Sequence, residues 1–313
     1  MRPHVDATER DRGAPGASTV RIADALTAAL APMVWGSTYL VTTELLPPHR
    51  PLLAATVRSL PAGLVLVALG RRLPSGRWWA RAFVLGALNI GAFFFLLFVA
   101  AYRLPGGVAA LIGSVQPLVV AVLAVVLLNQ RARPADLAAA GLGVFGVALL
   151  VLRANAALDP IGVAAALGGA VSMASGIVLT QRWGRPVGLL PFTGWQLAAG
   201  GLLLLPVTAL VEGPPPHLTT TNLIGYGYLS VIGSMIAYAL WFRGLGRLPA
   251  VTASVLGFLS PLVATILGYL VLRQGFSPLQ GVGAVTIVAA LVLSQLRPGR
   301  NTTRSRADRG TTD

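Results

Sequence analysis

A single basic residue inside an apolar segment is the feature of this sequence most able to do chemistry. Arg58 lies about seven residues into the apolar run 52–70, hence about 10 Å deep if that run is helical. A charge at that depth costs at least about 2–3 kcal/mol unless it faces a cavity or a partner. Arg58 could contact an anion or carboxylate, or form a gating pair. Alternatively, it could reach the outer headgroups or bond helix carbonyls as a structural strut.

Polar and large aromatic side chains recur in the other apolar runs. Such groups either form hydrogen bonds between helices or line a path through the membrane. Trp35 and Tyr238 lie too deep to be interface anchors, so we expect them to be walls for an apolar substrate or part of the packed core.

Two prolines stand in the middle of predicted helices. Pro117 and Pro261 each remove a backbone hydrogen bond and free carbonyls one turn earlier. Those carbonyls become ligand or water sites if they line a cavity, whereas the simpler interpretation is a kinked helix. Gln116 and Ser260 precede the two prolines. The predicted substrate path comprises Trp35, Ser37, Tyr39, Arg58, Asn89, Gln116, Gln196, Tyr238 and Ser260.

Sites for catalysis or for a cofactor are not predicted. The acidic residues Glu44, Asp136 and Glu212 fall at the ends of apolar runs, which argues against proton exchange through a buried carboxylate. Cysteine is absent and the three histidines lie in tails or loops, so no metal site is expected. Gly141–Gly146 matches a dinucleotide-binding fingerprint, but it lies within an apolar run and lacks the required strand. An intramembrane enzyme is therefore disfavoured.

The composition indicates that a lipid bilayer surrounds these residues. Of 313 residues, 55% are hydrophobic and only 11% are charged, which a water-soluble protein of this size could not bury. Proline- and glycine-rich breaks separate ten runs long enough to cross a bilayer as helices. We therefore predict an all-α integral membrane protein. The runs are 25–43, 52–70, 82–101, 106–128, 135–153, 160–180, 191–211, 223–243, 250–272 and 278–296.

An internal repeat relates the two halves of the chain. The stretch Leu104–Pro134 recurs without a gap as Leu248–Pro278, with the prolines and a glycine in register. At a slightly shorter offset, Ser37 matches Ser175 and Gly63-Leu64 matches Gly201-Leu202. In the same alignment, Arg58 corresponds to Gln196. Since each half holds five runs, the second half enters the membrane from the other side, which predicts an inverted repeat. The predicted divisions are tails 1–24 and 297–313 and repeats 25–153 and 154–296.

Arginine placement predicts the orientation. Nineteen arginines lie in the tails and alternate loops on one side, against four on the other, so both termini are expected in the cytosol. The first 24 residues lack the features of a signal peptide. The net charge of +14 does not indicate nucleic-acid binding, because the arginines do not form one compact face. The expected location is the cytoplasmic membrane, with the lipid bilayer and a small-molecule substrate as partners and the oligomeric state undetermined.

The sequence resembles the EamA family of the drug/metabolite transporter superfamily over Leu26–Leu296. The resemblance rests on Trp35-Gly36-Ser37, on Arg58 and on the two matching stretches. It implies ten helices in two inverted five-helix repeats, cytosolic ends, and a path lined by helices 1, 3, 4, 6, 8 and 9. Many members have glutamate after glycine beyond the fourth and ninth helices, where this chain has Gln130 and Gln274.

These observations predict a membrane transporter. It would export small organic metabolites, such as amino acids or amphipathic compounds, by alternating access between the two repeats. The alternative is a non-transporting membrane sensor or assembly subunit, although the tails are too short for a signalling domain.

Overall fold

The computed structural model describes residues 17–104, 106–130, 133–151, 159–215, 217–273, 275 and 277–295. The side chains of residues 17–21, 39, 101–102 and 106–108 lie outside this description. Within the described ranges the regular structure is entirely helical, and ten helices have the length and apolarity to cross a membrane. The predicted class and number of spans are therefore confirmed. The spans are α1 (Ile22–Leu45), α2 (Pro51–Gly70), α3 (Trp78–Ala100), α4 (Ala109–Leu128), α5 (Pro134–Val151), α6 (Pro160–Trp183), α7 (Leu189–Val211), α8 (Thr220–Leu245), α9 (Ala250–Leu270) and α10 (Pro278–Gln295).

Several helices begin with local signals that the sequence carries. Pro51 and Pro160 occupy the first turns of α2 and α6, where no helical hydrogen bond is lost. Asp159 caps α6 by accepting a hydrogen bond from the backbone N–H of residue 162 at 2.7 Å. Thr219 and Asn222 form a reciprocal capping box at the start of α8. These caps place the helix starts at the breaks between apolar runs.

Four helices depart from regular α-geometry in their middles. One π-helical turn covers Ala87–Gly91 in α3, and another covers Val231–Ile236 in α8, beginning 144 residues later. The α-helical segment Gly106–Gly113 leads into α4, and a turn just before Pro117 separates it from the second segment, Gln116–Leu128. A 3-10 turn at Leu256–Phe258 precedes Pro261 in α9. The same 144-residue offset separates Leu104 from Leu248 in the sequence repeat.

The closest helix contact joins α2 and α7. A methyl group added at Gly63 would lie 2.2 Å from the backbone nitrogen of Ala198, and one added at Gly201 would lie 2.7 Å from the Cα of Leu60. The two contacts are related by exchange, since Gly201 and Ala198 follow Gly63 and Leu60 at one offset. Small residues here let the two backbones cross directly.

The other helix pairs also occur as counterparts. The pair α5 and α10 packs closely, through glycines on both helices. α1 packs against α8 and α9, and α6 packs against α3 and α4. If the first five helices are exchanged with the last five, the pairs α1–α8 and α1–α9 become α6–α3 and α6–α4, which are also present. The pair α5–α10 becomes itself.

Several contacts join distant helices at the side of the bundle where α1 begins and α10 ends. We call this the terminal face. On this side Ala250–Val255 of α9 packs against Gln116–Leu128 of α4, and both belong to the largest buried cluster. Arg247 also forms a 2.6 Å ion pair with Asp24, and Gln181 donates to the carbonyl of Leu248 at 2.6 Å. These contacts tie α4 to α9 and tie α1 and α6 to the loop between α8 and α9 at the terminal face.

The two broken helices α4 and α9 part from each other beyond this contact. Gly106–Gly113 packs on α6, whereas Leu259–Leu270 packs on α1, so the two segments lie on different neighbours. A methyl group added at Gly113 or at Gly257 would have no neighbouring atom within 4 Å. Open space therefore lies beside the breaks in both helices.

Candidate functional site

Arg58 is buried in the centre of the bundle. Only 6% of the residue is exposed, so its side chain does not reach toward headgroups. Its Nη2 donates to the carbonyl oxygen of Gly233 at 3.2 Å, and its Nε donates to the hydroxyl of Ser234 at 3.3 Å. The guanidinium carbon lies 4.7 Å from the centre of the Phe94 ring. Arg58 thus ties α2 to α8, which is the helix-carbonyl contact that the strut interpretation predicts.

The Gly233 carbonyl is able to accept these bonds because of the π-helical turn. A π-turn widens the helix and displaces carbonyls from regular hydrogen bonding. The indole Nε1 of Trp35 donates to the same oxygen at 3.1 Å. One carbonyl therefore gathers a side chain from α1 and a side chain from α2 at the middle of α8.

Aromatic rings adjoin the guanidinium on the side of the terminal face. The Trp35 ring lies 4.9 Å from that of Tyr238 and 5.4 Å from that of Trp241, and Tyr238 lies 6.5 Å from Phe94. Tyr238 and Trp241 are almost fully buried, whereas Trp35 is half-buried. We call Trp35, Phe94, Tyr238 and Trp241 the aromatic cluster. It combines an apolar surface with ring faces that attract a cation.

The charge of Arg58 has no carboxylate partner. The ion pairs among the described residues join Arg103 to Asp159, Arg133 to Asp136, and Arg247 to Asp24, all near helix ends. The Nη1 atom of Arg58 makes no hydrogen bond to any described residue. Both partners of Arg58 are neutral, so its positive charge is not compensated by any of the described residues.

Asn89 and Gln196 lie elsewhere and bond to each other. Both residues are completely buried, and the Asn89 Nδ2 donates to the Gln196 Oε1 at 2.8 Å and to the Thr180 Oγ1 at 3.4 Å. Their contact links α3, α6 and α7. Asn89 occupies the π-turn of α3, 144 residues before Gly233, and Gln196 matches Arg58 in the repeat. The two halves therefore hold corresponding polar contacts, one neutral and one charged.

The remaining predicted path residues have mixed surroundings. Gln116 is half-buried beside the break in α4, and its side chain has no hydrogen-bond partner among the described residues. Ser260 is half-buried beside the corresponding break in α9. Ser37 pairs with the Tyr228 hydroxyl at 2.6 Å. The side chain of Tyr39 and the whole of Gln274 lie outside the described residues, and Gln130 is exposed just after α4.

Three residues of the site escaped the sequence analysis. Ser234 is a polar residue inside an apolar run, so the criterion that selected Asn89 could have found it. Gly233 contributes only its carbonyl, which no side-chain pattern reveals. Phe94 stands between two other phenylalanines, and nothing in that sequence distinguishes the ring that meets Arg58.

An apolar groove lies on the outer side of the seam between α2 and α8. It has a volume of about 340 Å³. Pro61 and Val231 are exposed there, while the Tyr226 hydroxyl is buried without a hydrogen-bond partner. Arg58 lies on the inner side of the same seam. The groove is lined by Val57, Pro61, Ala62, Val65, Tyr226, Gly227, Ser230, Val231 and Met235.

Metal binding has no support in the described part of the chain. Among these residues, no group of three His, Asp or Glu side chains lies close enough to hold an ion. The chemistry available at the site is therefore that of a buried cation, neutral hydrogen-bond donors and aromatic surface.

Comparison with known proteins identifies the family. The model of the EamA-like transporter family matches residues 23–152 and again residues 160–296. Protein PecM of Dickeya dadantii is 54% identical over 85% of this chain and 90% of its own. A chloroplastic WAT1-related protein of Arabidopsis thaliana is 32% identical over 85% and 68% of the two chains. The uncharacterized inner membrane transporter YedA of Escherichia coli is 28% identical over 84% and 88%.

The fold has also been seen in a crystal structure. That protein is 22% identical and superposes with a TM-score of 0.74, covering 87% of this chain and 97% of the other. A likeness at this identity shows the shared fold alone. The family that the sequence resembles is confirmed by the two matches of its model. This chain, a multi-pass membrane protein, belongs to the EamA-like transporter family.

Proposed function

We propose that this transporter exports small organic metabolites, such as amino acids or amphipathic compounds, across the cytoplasmic membrane. Transport proceeds by alternating access between two inverted five-helix repeats, residues 25–153 and 154–296, with both termini in the cytosol. The observation that carries the proposal is the open space beside the breaks in α4 and α9, at Gly113 and Gly257. The same two helices pack on each other toward the terminal face, through Ala250–Val255 and Gln116–Leu128.

The inverted repeat is supported by contacts that survive exchange of the two halves. The crossing of α2 and α7 pairs Gly63 with Ala198 and Gly201 with Leu60. The π-turns of α3 and α8 begin at corresponding positions, and the family model matches each half separately. Two halves of one fold in opposite orientations can adopt each other's conformations, which is the basis of alternating access in such carriers.

The path runs between the halves, past the breaks in α4 and α9. Gln116 and Ser260 lie beside the open space, and carbonyls freed ahead of the two prolines can bond a polar substrate or water there. Trp35, Arg58 and Tyr238 lie farther along the path, toward the terminal face. A substrate bound against these three residues enters or leaves on that side when the contacts at the terminal face separate.

No catalytic step is assigned to the protein, because transport needs none. The polar groups at the site bind and orient the substrate. Differential contacts with the two conformations are enough for a substrate to shift the equilibrium between them.

The test is transport by purified protein in proteoliposomes across a panel of amino acids and amphipathic metabolites. We expect flux above that of protein-free vesicles for at least one compound. Gly257→Leu should lower that flux at least about tenfold, since the new side chain would occupy the open space beside α9. Gly141→Leu is the control, because a side chain added at Gly141 would also have no neighbour within 4 Å, but this glycine is exposed on α5.

Two results would contradict the proposal. One is the absence of flux for every compound by folded wild-type protein. The other is equal flux through Gly257→Leu and Gly141→Leu, which would show that the space beside α9 is not on the path.

A further inference from the structure

The charge on Arg58 bears on the chemical class of the substrate. Burial of an ionised group is costly unless an opposite charge or a full set of hydrogen bonds compensates it. Arg58 has two neutral acceptors, the Gly233 carbonyl and the Ser234 hydroxyl, and a ring face at Phe94. No carboxylate lies within ion-pair distance of it among the described residues. A bound anion would supply the negative charge that the described residues do not.

Two edges of the guanidinium are used differently. Nε and Nη2 are occupied by contacts with α8, whereas Nη1 makes no hydrogen bond to any described residue. A guanidinium has five N–H donors, so the edge formed by Nη1 and the second N–H of Nη2 remains available. The planar fork of arginine at such an edge matches the two oxygens of a carboxylate.

The guanidinium has aromatic neighbours. Phe94 lies under the guanidinium, Tyr238 lies 6.5 Å from Phe94, and Trp35 lies 4.9 Å from Tyr238, measured between ring centres. Trp35 is half-buried and thus still offers surface to a ligand. A carboxylate at Arg58 would place the body of its molecule against flat apolar groups, which favour an aromatic or otherwise apolar body.

The corresponding contact in the other half shows what a purely structural role requires. There Gln196 meets the π-turn of α3 through Asn89, and both residues are neutral and completely sealed. A neutral amide is therefore sufficient to tie the second helix of a repeat to a π-turn. A strut does not need a charge at this position, so the charge of Arg58 calls for a different function.

We propose that Arg58 binds the carboxylate of the transported substrate, and that the substrates are small organic anions with an aromatic or apolar body. This inference rests on the proposed transport function and specifies its substrate class. The carboxylate accepts from Nη1 and Nη2, and the body packs against Trp35, the half-buried member of the aromatic cluster. Binding pairs the buried charge, so the loaded site is more stable than the empty one.

The experiment compares phenylacetate with phenylacetamide, which have nearly the same shape but differ in charge. Thermal unfolding of the purified protein in detergent is followed while each compound is titrated. We expect phenylacetate to stabilise the wild-type protein at concentrations at least about tenfold lower than phenylacetamide, since hydrogen bonds to ionised groups are the stronger class. Flux of labelled phenylacetate is then measured in proteoliposomes.

The variants separate recognition from support. Arg58→Gln imitates Gln196, so it should keep the helix tie but lose the preference for the acid at least about tenfold. Arg58→Lys keeps the charge without the fork and should retain part of the preference. Arg185→Gln is the control, because it removes an exposed arginine from the loop between α6 and α7 and should leave the preference unchanged.

The outcomes distinguish this inference from the transport function itself. Equal stabilisation by acid and amide in the wild-type protein, with flux of neutral compounds, would overturn the carboxylate site and leave the carrier standing. An unchanged preference in Arg58→Gln would also overturn it. If Arg58→Gln does not fold, Arg58→Lys decides in the same way, through a reduced or an unchanged preference. Flux of no compound at all would remove the transport function instead.

Discussion

The crossing of α2 and α7 predicts a large effect from the addition of one methyl group. In Gly63→Ala the new carbon would lie 2.2 Å from the backbone nitrogen of Ala198 and 2.7 Å from its Cα. Ordinary contacts of this kind are 3.4–4 Å, and a backbone atom cannot rotate away as a side chain can. The two helices must therefore separate by roughly 1 Å, which forfeits a substantial part of their dispersion contacts.

The free energy of unfolding follows from two opposing terms. Overpacking a close interface costs about 1–3 kcal/mol, and contacts with rigid backbone favour the upper end. Replacing glycine by alanine within a helix adds up to about 1 kcal/mol to the free energy of unfolding, because alanine has the higher helix propensity. We therefore expect Gly63→Ala to lower the free energy of unfolding by about 2 kcal/mol.

A matched variant isolates the packing term. Gly227 in α8 is exposed and would have no neighbour within 4 Å of an added methyl group. Gly227→Ala should gain up to about 1 kcal/mol from helix propensity, so the two variants should differ by about 3 kcal/mol. Unfolding in mixed micelles of increasing SDS content, followed by tryptophan fluorescence, measures this difference directly. Equal midpoints for the two variants would refute the account of the α2–α7 contact.

Three further predictions concern a helix cap, buried hydroxyls and orientation. In Glu212→Gln, the carboxylate that accepts hydrogen bonds from the first backbone amides of α2 loses its negative charge. The free energy of unfolding in the SDS titration should therefore fall by about 0.5–1 kcal/mol. Thr56→Val removes a hydroxyl bonded to one in α7 and should cost about 1 kcal/mol, whereas Thr193→Val removes a buried hydroxyl without a partner and should be neutral or stabilising. The chain has no cysteine, so Ser75→Cys and His217→Cys each introduce one thiol, and an impermeant maleimide should label only His217→Cys in intact cells.

Each of these predictions has its own control or contrary result. Glu44 is exposed at the end of α1, where a negative charge gains nothing from the helix dipole, so Glu44→Gln should not destabilise the protein. Equal losses for Glu44→Gln and Glu212→Gln would argue against the cap. A cost for Thr193→Val equal to that of Thr56→Val would show that the threonine effect is one of shape. Labelling of Ser75→Cys in intact cells would place the second loop outside the cytosol.

The helices could be predicted from sequence because lipid imposes one simple requirement. Each crossing must be a long apolar helix, and proline- or glycine-rich breaks mark where one ends. The run predicted at 52–70 is observed as Pro51–Gly70. The third helix begins earlier than predicted, at Trp78 rather than residue 82. Trp78 packs against Phe192 and Trp195, and such contacts with a distant helix extend a span beyond its apolar run.

The site was less predictable, because its partners depend on how helices cross. The depth of Arg58 follows from its position in a run, but its contact with Gly233 depends on a π-turn, which composition does not reveal. Asn89 and Gln196 were predicted as separate path residues, and their bond to each other appears only when α3 meets α7. Residue type thus predicted which groups matter, while pairing required the fold.

The buried guanidinium of Arg58 also carries a charge on which the membrane potential acts. A positive charge that lies within the bilayer experiences the transmembrane field, which acts with about 2.3 kcal/mol per elementary charge for a full crossing at 100 mV. Any rearrangement that moves Arg58 through part of this field performs electrical work in proportion to that part. A bound monoanion cancels the charge, so membrane potential would bias the return of the empty protein more strongly than the movement of the loaded one.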